Sequence, residues 1–237
     1  MIHTKRALGG VFVAPHHLAA QAGRDVLKEG GNAAEAMIAA AAAIAVVYPH
    51  MNSIGGDGFW LLSEPGKAPV GIDACGKAAA KATRAFYTEQ GFDAIPNRGP
   101  LAALTAAGTV GGWIKAHEVA TQWGGKLPLN RLLSDAVMHA RNGVAVSSSQ
   151  ERLTRVKFGE LSTAPGFAEH LLMDGQVPAE GSVLKQGALG DTLARMGQVG
   201  LDDFYRGELA QAMADDLARV GSPISLADLN NHHAQFV

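Results

Sequence analysis

Residues 29–40 read Glu-Gly-Gly-Asn-Ala-Ala-Glu-Ala-Met-Ile-Ala-Ala, and the fold is decided here. Gly30-Gly31 is a helix stop, because glycine takes the left-handed conformation that ends a helix at no steric cost. Asn32 is then placed to start a new helix: its side-chain oxygen can accept from the unpaired N–H groups of the first turn. Glu35 stands three residues on, the spacing of a capping box. From Ala33 to Val47 almost every residue is alanine or a larger aliphatic, until Tyr48-Pro49 closes the run. A helix with no polar face and small side chains all round is expected to be buried on most sides and closely approached by its neighbours. Such a helix demands a layered domain around it.

Upstream, Gly10–Ala14 reads as a short buried strand, and Leu18–Lys28 as a helix with Ala19, Ala22 and Val26 at helical spacing. Downstream, Phe59–Leu62 and Val70–Asp73 read as two strands joined by the turn-rich Ser63–Pro69, hence a hairpin. Trp113–Trp123 and Asn130–Arg141 read as helices closed by Gly124-Gly125 and Gly143. From Ser147 the pattern is mostly helical. It is clearest around Leu209, Met213 and Leu217 on one face, and a last helix follows N-cap Ser225. There is no internal repeat and no linker, so residues 1–237 are expected to form one domain. Strands gather early and helices late, which favours α+β over repeated βαβ units.

The 237 residues are 47% hydrophobic and 18% charged, with a net charge of −2, enough apolar content for a sizeable core. No basic stripe exists, which argues against nucleic acid or an anionic membrane surface as partner. The longest apolar run, Ala36–Tyr48, is too short to span a bilayer. Lys5 and Arg6 give a charged start, but the apolar stretch behind them is broken by Gly9, Gly10 and Pro15, so a secretory leader is not expected. With a lone cysteine, Cys75, the expectation is a cytoplasmic protein.

Several motifs carry competing chemical readings. Gly55-Gly56-Asp57-Gly58 could cradle an anion through backbone N–H groups, or be a tight turn where backbones approach; the spacing is not G-x-G-x-x-G. Gly71 to Lys77 nearly matches a phosphate-binding loop, but Ala78 stands where a magnesium-ligating Ser or Thr belongs. The nine histidines include the adjacent pairs His16-His17 and His232-His233 and show no metal-site spacing, so they read as surface or loop residues, with His50 beside the glycine cluster the one to watch. Cys75 would be a nucleophile only with a depressed pKa; otherwise it is a small hydrophobe.

Seven segments, in order, resemble one family: Glu29–Ala40, Asn52–Trp60, Ile72–Ala82, Ala106–Trp113, Leu127–Val146, Leu201–Gly207 and Ile224–Asn231. The family is that of the γ-glutamyltranspeptidases, self-cleaving N-terminal-nucleophile (Ntn) hydrolases, and the resemblance is to the N-terminal part of their large (α) subunit. It implies an α+β fold forming part of a four-layer α/β/β/α sandwich, with this chain mostly helical and an early hairpin. It also implies a zymogen that processes itself into a heterodimer. The partner is a β subunit from the same precursor, whose N-terminal threonine attacks an amide carbonyl with its own α-amine as base. No cofactor or metal is implied, and no catalytic residue falls within this chain.

What the resemblance does place here is substrate recognition. The family's glycine cluster has Asp57 as its third residue in this chain. Its α-carboxylate-gripping arginine, two residues after an aspartate, corresponds to Cys75 after Asp73. A thiol cannot replace a bidentate guanidinium. Either Lys77 supplies the charge, or the substrate differs. Asp57, Cys75 and Lys77 are therefore the candidate substrate-binding residues. The resemblance implies an amidohydrolase acting on a small carboxylate-bearing amide such as oxamate. An ordinary γ-glutamyltransferase or glutathione hydrolase, and a non-catalytic binding subunit, are the alternatives.

Overall fold

The computed structural model describes residues 6–237, so the first five residues of the N-terminal stretch, Lys5 among them, lie outside the description. The centre is α2 (Ala33–Val47), with Ala36, Ile38, Ala39, Ala42, Ala43 and Val46 fully buried. It contacts α1 (His17–Lys28) on one side and α4 (Thr109–Gln122) and α5 (Leu129–Asn142) on others, and α5 in turn contacts α8 (Gly187–Val199). Strands β1 (Gly58–Leu62) and β2 (Val70–Ala74) form the expected hairpin, which lies on α4. The arrangement is α+β.

The capping box is real. Asn32 Oδ1 accepts from the N–H groups of Ala34 and Glu35 at 3.1 and 3.0 Å, and Glu35 Oε2 accepts from the Asn32 N–H at 2.7 Å. The same two side chains also reach across the core. Asn32 Nδ2 donates to Ala120 O at 2.8 Å, and Glu35 Oε1 accepts from Leu127 N–H at 2.8 Å. Both acceptors and donors lie around the end of α4 and the loop into α5, so the box fixes α2 against that loop. A Cβ on Gly125 would come within 2.8 Å of the Glu35 carboxyl carbon, which explains the glycine there. At the far end, Gln186 Nε2 donates to Val46 O at 2.7 Å.

Several elements depart from expectation. Gly10–Ala14 is not a strand: Gly10 has φ +109°, Val11 and Val13 are exposed, and no ladder partner exists among the described residues. Phe12 and Ala14 of that stretch pack against the core, Phe12 against Gly23. Helix α4 begins at Thr109, four residues before the expected start, and includes Gly111-Gly112. These glycines are packing sites inside the helix: a Cβ on Gly112 would lie 2.8 Å from Trp60 Nε1, and one on Gly111 would lie 2.9 Å from His232 Nε2. Two strand pairings were not expected. β3 (Val144–Ala145) pairs with β4 (Val183–Leu184), and β5 (Gln235–Phe236) joins β2 to give the sheet order β1-β2-β5, all antiparallel. The late chain is otherwise helical. It includes α9 (Asp203–Arg206), α10 (Glu208–Arg219) and α11 (Leu226–Asn230), the last capped by Ser225 and Asp228.

No helix among the described residues is long and apolar enough to cross a membrane. Removing the Glu35 carboxylate leaves two half-buried N–H groups, those of Asn32 and Leu127, without that acceptor. Glu35→Ala in the full-length protein is therefore expected to lower the unfolding free energy by about 2–6 kcal/mol, at about 1–3 kcal/mol per orphaned group, measured by denaturant titration.

Candidate functional site

The register Gly58↔Ala74 closes the hairpin so that the residues just before β1 and just after β2 emerge side by side. Asp57 Oδ1 accepts from the Gly76 N–H at 2.7 Å, and Asp73 Oδ1 accepts from the Cys75 N–H at 2.9 Å. Asp57, Cys75 and Lys77 are all exposed, and Gly76 between the last two is half-buried, the alternation of an extended chain. The three sequence-predicted positions thus lie at one end of one hairpin.

A third segment, Ala106–Thr109, clamps them. Ala106 N–H donates to Lys77 O at 3.0 Å, and the N–H groups of Gly108 and Thr109 both donate to Gly56 O at 2.8 Å. Thr109 Oγ1 lies 2.8 Å from Gly56 O and 3.1 Å from Asp57 O, so its hydroxyl also donates to this corner. The backbones cross at contact distance. A Cβ on Gly76 would sit 1.7 Å from Ala106 O, and one on Gly108 would sit 1.7 Å from Ala74 O. These two glycines are obligatory because another backbone occupies the side-chain volume. The cluster Gly55–Gly58 is accordingly a tight turn whose Gly56 carbonyl serves as an acceptor.

Behind the clamp stands Tyr205, 1% exposed. Its hydroxyl donates to Ala107 O at 2.6 Å and accepts from the Gly111 N–H at 2.8 Å. His232 lies with its ring centroid 5.0 Å from that of Tyr205, only 3% exposed, its Nε2 without a hydrogen-bond partner. His232 is a loop residue, as expected of the histidines, but it is buried and not at the surface. Thr109, Gly108 and Tyr205 carried no assigned chemistry in the sequence reading, although two of the seven quoted segments contain them.

The competing motif readings resolve physically. No helix opens after Gly76-Lys77: Ala78 forms a β-bridge with Thr105, and the next helix, α3, is the short Arg84–Thr88. A phosphate-binding loop needs a helix N-terminus that is not there. Cys75 is exposed, but partial loss of hydration and the Asp57 and Asp73 carboxylates push its thiol up from the usual value, against the depressed pKa a nucleophile requires. His50 lies between the turn and α6 (Ser148–Leu161), its Nε2 3.1 Å from Ser149 Oγ and its ring edge-on to Tyr48 at 4.2 Å. Asp57, Gly56 and Thr109 form one rim of an apolar groove of about 860 Å³ between α2 and β1, into which Met37, Ile44 and Phe59 contribute.

The sequence model described as Gamma-glutamyltranspeptidase matches residues 19–237. The chain belongs to the γ-glutamyltranspeptidase family. It is 51% identical over 227 residues to the Oxamate amidohydrolase proenzyme of Klebsiella pneumoniae, covering 95% of this chain and 43% of that protein. It is 36% identical over 227 residues to the Glutathione hydrolase-like YwrD proenzyme of Bacillus subtilis, covering 95% of this chain and 42% of that one. The solved γ-glutamyltranspeptidase of Pseudomonas nitroreducens, complexed with L-DON, superposes with a TM-score of 0.86 at 32% identity, over 98% of this chain and 67% of the solved one. The α+β fold is thus that of an Ntn hydrolase of the γ-glutamyltranspeptidase family, and the chain spans less than half the length of the curated relatives it matches.

Two measurements test this geometry. Gly108→Ala places a methyl group inside the Ala74 carbonyl and is expected to cost more than about 3 kcal/mol, whereas Gly55→Ala, with nothing nearer than 3.8 Å, stays within about 1 kcal/mol. Thermal unfolding of the two variants checks the difference. The second is a pH effect. His16, His50, His139 and His232 are all held below the usual histidine value of 6.5, chiefly by burial. His16 also accepts the Leu18 N–H at its Nδ1 as the cap of α1, and cannot do so once protonated there. A depressed folded pKa means the unfolded chain binds more protons, so this stability is complete above about pH 6.5 and is lost as pH falls below it. The melting temperature is expected to fall from pH 7.5 to 5, and less steeply in His16→Asn, which caps the helix without titrating.

Proposed function

We propose that this chain is the N-terminal part of the large subunit of a self-processing amidohydrolase that cleaves a small carboxylate-bearing amide, with oxamate as the leading substrate. The observation that carries the reading is Cys75. Its side chain is exposed at the end of the hairpin, and its neighbourhood contains the carboxylates of Asp57 and Asp73, not a guanidinium. An uncharged thiol offers no fork for the α-carboxylate of a γ-glutamyl group. Lys77, exposed two residues on, offers a cation at this corner to meet a substrate carboxylate. The 51% identity to a protein named Oxamate amidohydrolase proenzyme supports the same substrate.

In this reading a β subunit from the same precursor brings an N-terminal threonine to the rim of the groove. Its hydroxyl oxygen bonds to the amide carbonyl carbon as its proton passes to its own α-amine. The C–N bond then breaks, ammonia leaves with that proton, and water hydrolyses the ester to release oxalate. The residues of the present chain do not react; they bind and orient the carboxylate. A cytoplasmic location belongs to the same proposal, supported by the single cysteine and the absence of disulfide chemistry from this part of the protein.

The test is ammonia release from oxamate by the full-length processed protein, alongside p-nitroaniline release from γ-glutamyl-p-nitroanilide. Oxamate is expected to be the better substrate, and Lys77→Ala is expected to raise its KM about tenfold or more, the loss of one charge-assisted contact. Faster turnover of the γ-glutamyl anilide, or an unchanged KM in Lys77→Ala, would overturn the reading in favour of a glutathione hydrolase type of site.

A further inference from the structure

We propose that Tyr205 is a positioning residue for substrate binding, acting from behind the clamp by fixing Ala106–Thr109 and through it Asp57 and Lys77. The inference rests on the reading that the hairpin end binds the substrate.

Helix α4 starts at an N-cap, Gly108, that has no side chain with which to cap it. The first-turn N–H groups of such a helix need acceptors from elsewhere. One of them, on Gly111, is met by the Tyr205 hydroxyl at 2.8 Å, from a residue 94 positions away in the chain. The same hydroxyl donates to Ala107 O at 2.6 Å, so one oxygen ties the residue before the cap to the third residue after it. The residues flanking Ala107 are those that hold the site: Ala106 binds the Lys77 carbonyl, and Gly108 binds the Gly56 carbonyl. Tyr205 therefore grips the clamp one peptide away from each of its working bonds.

Its own position is rigid. The ring is buried against Phe204 at 5.1 Å and His232 at 5.0 Å between centroids. Helix α9, which carries it, is anchored by Asp203, whose carboxylate binds Arg195 at 2.6 Å and accepts from the Glu208 N–H at 3.1 Å. Removing the hydroxyl alone keeps this packing and leaves the Ala107 carbonyl and the Gly111 N–H to find new partners. The clamp must then shift, and the backbone that carries Lys77 shifts with it.

The experiment is steady-state kinetics of the full-length processed protein with oxamate, on Tyr205→Phe, Thr109→Val and Thr109→Ser, with melting temperatures recorded. Because Tyr205 touches none of the reacting atoms, Tyr205→Phe is expected to raise KM about three- to tenfold with kcat within about twofold. Thr109→Val, which removes the clamp's hydroxyl, should do the same, and Thr109→Ser, which keeps it, should restore the wild-type KM. A purely structural tyrosine would lower the melting temperature and leave KM at 25 °C unchanged; that result overturns the proposal. If Tyr205→Phe does not mature, the Thr109 pair decides, and equal KM values for Val and Ser overturn it. A readout independent of turnover is alkylation of Cys75 by iodoacetamide, followed by peptide mass spectrometry. Tyr205→Phe is expected to quicken it at least about twofold as Asp57 and Asp73 move away from the thiol. Faster alkylation together with a Lys77→Ala variant of normal KM would sink the substrate reading alone; unchanged alkylation would sink the role of Tyr205.

Discussion

Glu35 carries a carboxylate into the interior, 2% exposed, and it is held there by backbone N–H groups from two separate parts of the chain. Burying a carboxylate is costly unless its oxygens are satisfied, so this geometry has little freedom. Because Asn32 and Glu35 together grip the start of α2, Ala120 and Leu127, the relative placement of α2, α4 and α5 follows from one capping box. The alanine surface of α2 then lets its neighbours approach closely, and the hairpin is laid down on α4. Everything that forms the candidate site is hung on that helix.

The site itself is a crossing of three backbone segments, and its chemistry follows from what can occupy the crossing. Two glycines are required because carbonyl oxygens fill the places where their side chains would be. The turn before β1 spends its Gly56 carbonyl on the clamp and its Asp57 carboxylate on the Gly76 N–H, so it serves structure, while the side chains of Cys75 and Lys77 are exposed. Cys75 and Lys77 can therefore be substituted without removing a bond of the crossing, whereas Asp57 cannot. Under the proposed substrate reading, Cys75 in place of an arginine is such a change. It removes a fork that fits a carboxylate and leaves a neutral thiol among aspartates.

Much of this was legible in the amino-acid order, and what was not has identifiable causes. Asn32 and Glu35, the hairpin and the helix-closing glycines are local signals, and the structure carries each of them. The expected start at Trp113 left Gly111 and Gly112 outside the helix; they sit inside it, since Trp60 and His232 take the space where side chains would be. Gly10–Ala14 has the composition of a strand but no ladder partner among the described residues, and composition does not supply one. The pairings of β3 with β4 and of β5 with β2 span long stretches of chain and are only two residues long, too short to leave a periodic pattern. Tyr205 stood in a quoted segment, but its partners lie 94 and 98 residues away, so its task could not be seen before the fold was.

That distance has a consequence for the order in which the protein is made. The turn at Gly56, the strand exit at Gly76, the clamp at Gly108 and the tyrosine behind it leave the ribosome in sequence, and the first three can meet only as a loose hairpin resting on an uncapped helix start. Long-range closure of this kind comes late in folding, after local helices have formed. A nascent chain shorter than Tyr205 has Asp57, Cys75 and Lys77 but not the bond that holds their backbone still. The hairpin corner is thus among the last parts of this chain to become rigid, although its residues are all made before Tyr205.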